Sequence, residues 1–212
     1  MLDIEYKGGN SVVLSTKKAT VVVDPKVSIM GLKNISVKDS VELLTEARFG
    51  TETGTATLLL DSPGEYGVAS FDIKGIAAQR HLDTEDQPKT STMYRIEVEG
   101  IRVGLIGNIY EKLTEDQYEE LGLLDVLIVP VGGSGYTLDP VAAAAIARAA
   151  EPKAVIPVHY AESGVNYEVP QLELEEFIKV LGAPVEDAGT KLKIKSVGAL
   201  PAIMSVVKIS RS

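Results

Sequence analysis

Apolar positions along this chain fall into short runs broken by glycine, proline and charged residues. Two of those runs have no polar interruption: residues 126–131 and 154–158 are apolar at every position. A strand covered on both faces of a sheet reads this way, whereas a half-exposed strand alternates. Between them, residues 139–150 predict a helix, with Asp139 as N-cap, Pro140 at the first helical position and an alanine-rich body of high propensity. Pro152 stops it. The second strand delivers His159 and Tyr160 just beyond its carboxyl end, where open α/β sheets place their ligands.

Shorter runs surround this unit. Residues 2–6, 11–15 and 20–23, separated by Gly8, Gly9 and Asn10 and then by Lys17 and Lys18, predict an antiparallel meander that Asp24 and Pro25 terminate. Strands are expected at 40–45, 55–60, 69–78, 93–98 and 101–106, with 62–67 as a turn and the charged segment 80–90 as a hairpin loop. Thr114 caps a short helix at 115–122. Residues 171–181 form an amphipathic helix whose apolar set is Leu172, Leu174, Phe177, Ile178 and Leu181. Two closing strands follow at 191–195 and 202–209. Strands interleaved with helices in this order call for a layered α/β architecture, read here as a single domain over 1–212.

Composition narrows the chemistry. The 212 residues, 45% of them hydrophobic, suffice for a sizeable core without staples. There is no cysteine, which removes disulfides, thiolate metal sites and a cysteine nucleophile. A net charge of -9, with no cluster of lysine and arginine, argues against a nucleic-acid partner. No apolar run approaches the ~18 residues of a spanning helix, and the amino-terminal residues do not read as a leader, so no membrane partner and a cytoplasmic location are expected. Gly132, Gly133, Ser134 and Gly135 lack the lysine of a phosphate loop, and Ser134 is not in a nucleophile-elbow context.

Segments 6–11, 21–25, 41–51, 100–108 and 125–160, most specifically 125–133 and 155–160, resemble the metallo-β-lactamase fold and, within it, the lactonase-like branch of small cytosolic hydrolases. The resemblance implies an αββα sandwich: two mixed β-sheets face to face, helices on the outer faces, and a metal-dependent active site along one edge of the sheets.

At the metal motif the chain departs from that family. Where the family carries Thr-His-x-His-x-Asp-His, this sequence has Thr45, Glu46, Ala47, Arg48, Phe49, Gly50 and Thr51. A guanidinium does not ligate a cation and repels one by its fixed charge. Asn108 stands at the bridging aspartate position and Gly9 at the histidine of the amino-terminal turn. His159 matches the last ligand position. His81 lies near the fourth histidine position but one residue late, with Arg80 in register. The resemblance therefore implies a vestigial site of Glu46, Arg48 and His159 with Asn108, Tyr160 and His81 around it, in which Glu46 pairs with Arg48. No metal ligand set is complete and no resident cofactor is expected, a weak zinc site being the alternative. Three functions follow: a pseudoenzyme that binds a small molecule or a protein partner; a surviving hydrolase, of lactone or phosphodiester type, with an atypical metal site or metal-free acid–base chemistry; or a structural subunit.

Overall fold

Alternation sets the first sheet. Strand β1 (Leu2–Gly8) buries Leu2, Ile4 and Tyr6 and leaves Asp3, Glu5 and Lys7 half-buried on its other face. It pairs antiparallel with β2 (Ser11–Ser15), which pairs antiparallel with β3 (Thr20–Val23). Strands β4 (Val41–Leu43) and β5 (Leu58–Leu60) extend the sheet in parallel, and β13 (Leu192–Ile194) closes its other edge against β1. This computed structural model describes residues 1–83 and 89–212. Residues 84–88 of the segment read as a hairpin loop lie outside the described residues.

The second sheet is built on the unbroken apolar runs. Strand β10 (Val126–Pro130) and strand β11 (Ala154–Val158), every residue of both buried, pair in parallel with Val126 opposite Ala154 and Pro130 opposite Val158. Helix α2 (Pro140–Ala150) connects them, its first turn held by the Asp139 carboxylate, which accepts the Ala142 N–H at 2.7 Å. Around this pair the order is β12 (Val185–Asp187), β14 (Ser205–Lys208), β11, β10, β9 (Ile101–Leu105), β8 (Ser91–Val98), β7 (Phe71–Ala78) and β6 (Gly64–Val68). Helix α1 (Glu115–Leu121), opened by a Thr114 and Gln117 capping box, packs on β7 and β8. Helix α3 (Leu174–Leu181) packs on α2. The inward residues of both sheets merge into one apolar core, as a two-sheet sandwich requires.

Three elements differ from their sequence reading. Residues 62–67 are not a turn throughout: Gly64–Val68 is an edge strand paired with β7, and an edge tolerates its glycines. Helix α3 begins at Leu174, leaving Gln171 and Leu172 in the preceding loop. Strand β12 carries no signal, because all three of its residues are exposed. No helix among the described residues is long and apolar enough to cross a membrane.

Candidate active site

Strand β3 hands its chain to Asp24, and β4 hands its chain to Thr45 and Glu46. These two strand ends are locked together: the Thr45 N–H donates to Asp24 Oδ1 at 2.8 Å and the Thr45 hydroxyl to Asp24 Oδ2 at 2.6 Å. Burial pushes the Asp24 carboxyl up to about 8 against the pull of those bonds, and the nearby Glu46 charge pushes the same way. Beyond Thr45 the chain makes a 3₁₀ turn, Ala47–Phe49, that aims Glu46 inward and carries Arg48 back over it.

Arg48 Nε stands 3.0 Å from Glu46 Oε2 and Arg48 Nη1 3.6 Å from Glu168 Oε2, while Nη2 donates to the Tyr136 hydroxyl. The guanidinium lies 4.7 Å from the centroid of the Phe49 ring and 5.0 Å from that of Tyr136, a cation over two aromatic faces. Arg80 approaches Glu46 from the other side at 3.9 Å while its Nε and Nη2 hold Asp83. Glu46 is 4% exposed, and burial raises its pKa more than Arg48, Asn108 and Arg80 lower it.

A chain of amides runs from this carboxylate. Asn108 Nδ2 donates to Glu46 Oε1 at 3.2 Å, and Asn10 Nδ2 donates to Asn108 Oδ1 at 2.9 Å. The direction follows from the end group: an ionised carboxylate only accepts, so Asn108 presents its NH₂ to Glu46 and its oxygen to Asn10. Asn10 Oδ1 is left buried with no hydrogen-bond partner among the described residues.

His159, at the end of β11, has a φ of 54° and donates its backbone N–H to the Gly9 carbonyl at 2.9 Å. Its ring is stacked 5.6 Å from Tyr136 and tilted 4.7 Å from Tyr167, with Nδ1 3.2 Å from Gln171 Oε1. Burial lowers its pKa to about 4, and the Arg48 charge lowers it further against the Gln171 bond, so the ring is neutral at pH 7. Beside it is a small cavity, with a solvent-accessible volume of about 20 Å³, lined by Asn10, Met30, Phe49, Tyr136, His159 and Tyr167 among others.

The structure thus brings Glu46, Arg48 and Asn108 into contact and joins them to His159 through Tyr136. The two remaining candidates lie differently. His81 donates its backbone N–H to the Asn108 carbonyl at 2.9 Å and has Nδ1 3.2 Å from the Ile109 carbonyl, so its hydrogen bonds go to backbone while Arg80 reaches Glu46. Tyr160 points into packing, stacked 5.9 Å from Tyr6. Arg80 stands where the sequence register put it, whereas Asn10, Asp24, Tyr136, Tyr167, Glu168 and Gln171 were not among the candidates. Asp24 alone carried a signal, as an acid at the end of an apolar strand; the others come from loops whose folding no spacing records.

The donor set does not fit a zinc ion. Arg48 is packed on the Glu46 carboxylate, and Gly9 offers no side chain to a metal. Among the described residues no three histidine, aspartate or glutamate side chains converge as metal ligands.

A family model described as "Beta-lactamase superfamily domain" matches residues 3–159. Among solved structures, a Thermotoga maritima protein assigned to the Zn-dependent hydrolases of the metallo-beta-lactamase superfamily superimposes with a TM-score of 0.78 at 26% identity, covering 99% of this chain and 100% of that one. A protein from Parabacteroides distasonis assigned as a metal-dependent hydrolase gives 0.65 at 16% identity over 100% and 94% of the two chains. Igni18, a metallo hydrolase from Ignicoccus hospitalis, gives 0.63 at 17% over 99% and 95%. These last two likenesses concern the fold. No curated protein matches the chain.

Proposed function

The chain belongs to the beta-lactamase superfamily, and from that premise we propose that it is a pseudoenzyme: a single cytosolic domain of the lactonase-like branch that has exchanged its metals for an ion pair and binds a small molecule or a protein partner. The observation that carries this reading is the Arg48 guanidinium packed on the buried Glu46 carboxylate, Nε to Oε2 at 3.0 Å, in the motif segment where the family holds its metals. A guanidinium supplies positive charge to a buried carboxylate as a metal would, but it offers no open coordination position and does not ionise a water. Nucleic acid is not among the partners proposed, given the net charge of -9.

The second reading is a hydrolase, favoured by the likeness to the Thermotoga protein at a TM-score of 0.78; a lactone or phosphodiester as its substrate rests on the lactonase-like resemblance of the sequence alone. Calorimetric titration with Zn²⁺ separates the two. Under the first, no saturable heat is released by the wild-type chain. One zinc per chain at micromolar affinity, lost in His159→Ala, would restore the hydrolase.

A further inference from the structure

Acceptors line the cavity beside His159, together with the carboxyl of Asp24 and the hydroxyl of Tyr167. Gln171 Nε2 donates to the Val169 carbonyl at 2.9 Å, which turns its oxygen toward His159 Nδ1 at 3.2 Å. An amide oxygen only accepts, so Nδ1 carries the proton and Nε2 of the neutral ring is an acceptor. Asn10, 4% exposed, lines the same cavity, and its Oδ1 is held there as an unsatisfied acceptor by the amide chain that begins at Glu46. An unpartnered buried acceptor is costly, and a donor-bearing ligand relieves that cost on binding.

Charge and shape select among donors. Among the described residues two acids, Asp24 and Glu168, and no lysine or arginine line the cavity, while Arg48 reaches Glu168 at 3.6 Å and, with Arg80, is engaged with Glu46 outside that lining. Phe49 and Tyr136 line the cavity with Arg48 already over their rings, and Tyr167 supplies a further aromatic wall; ring faces attract cations. A solvent-accessible volume of about 20 Å³ admits one compact group, of the size of a water or an ammonium. We propose that this cavity binds the ammonium head of a small organic amine, with His159 Nε2 and Asn10 Oδ1 as its acceptors. Glu168 lines this cavity with its side chain 57% exposed. This assignment rests on the metal-free reading of the site.

The test is a ¹⁵N NMR titration of the wild-type protein at pH 7, following the His159 imidazole with methylammonium, with tetramethylammonium, which has no N–H, and with methanol, which has no charge. Saturable binding of methylammonium that shifts Nε2 and leaves Nδ1 protonated supports the proposal, provided the other two probes bind about tenfold more weakly or worse, the worth of one charged hydrogen bond. Equal binding of tetramethylammonium makes the site an aromatic cage and overturns the assignment of acceptors, and equal binding of methanol overturns the preference for a cation. No saturable shift with any probe means a bound water only, and sinks the inference while the metal-free reading stands. A Zn²⁺ titration of the same sample that shifts Nε2 stoichiometrically overturns that reading itself. Glu168→Gln, at a half-exposed position whose loss leaves the core intact, is expected to weaken methylammonium binding; unchanged affinity there contradicts the charge argument.

Discussion

Glu46 is the residue whose burial everything in the site answers to, and Arg48 is its principal partner. Removing one member of a buried pair leaves an uncompensated charge, a loss of 3–5 kcal/mol when both are fully enclosed. Arg48 is 33% exposed, so solvent screening reduces the cost, and Arg48→Met is expected to destabilise the fold by about 1–3 kcal/mol in urea denaturation. Adding Glu46→Gln should recover most of that loss, since the neutral amide no longer needs a counter-charge. A double variant as unstable as the sum of both singles would contradict the pairing. His159 and Asp24 make opposite contributions with pH. The His159 pKa is depressed from 6.5 to about 4, so its neutral, buried form contributes fully above 6.5 and the contribution is lost as pH falls toward 4. The Asp24 pKa is raised from 3.8 to about 8, so its contribution is greatest below 3.8 and is lost as pH rises through 8. Asp24→Asn, which stays neutral, is therefore expected to gain about 1–3 kcal/mol relative to wild type between pH 4 and pH 8. Denaturant midpoints of the two proteins across that range test it, and a difference that does not change with pH would count against a raised Asp24.

At the scale of elements, the tightest constraint is where the loop after β10 crosses the end of β11. A Cβ on Gly132 would collide with the His159 carbonyl and the Gln171 side chain. Gly132→Ala is thus expected to cost about 2–4 kcal/mol, the range of overpacked backbone contacts, and to disturb the His159 resonances before those of β1. A variant with wild-type stability and an unshifted His159 would show that the loop has room. The β10, α2 and β11 unit was legible in the sequence because three signals agree there: unbroken apolar runs, a cap followed by proline, and a break at Pro152. Strand β6 was not, because Gly64 and Gly67 look like turn residues and only pairing with β7 makes them a strand. Residues Gln171 and Leu172 were read into α3, yet Gln171 is polar and Leu172 falls opposite the face shared by Leu174, Phe177, Ile178 and Leu181; Leu172 is 42% exposed in the loop before the helix.

For the whole molecule, the sandwich was legible from segment order and from the resemblance carried by residues 125–133 and 155–160, and the match to the family model over residues 3–159 agrees with it. The proximity of Glu46, Arg48 and Asn108 follows from two strand ends meeting at one rim. The cavity itself was not legible, because Tyr136, Tyr167 and Gln171 reach it from loops, whereas Arg80 beside Glu46 was, since the register put it one residue ahead of His81. What the chain does turns on whether that rim still holds a metal. The direct measurement is elemental analysis of the protein purified without added metal and without chelator. The account predicts zinc, iron and manganese far below one per chain, because Arg48 is packed on Glu46 and, among the described residues, no three histidine, aspartate or glutamate side chains converge as metal ligands. Stoichiometric zinc that disappears in His159→Ala would contradict it.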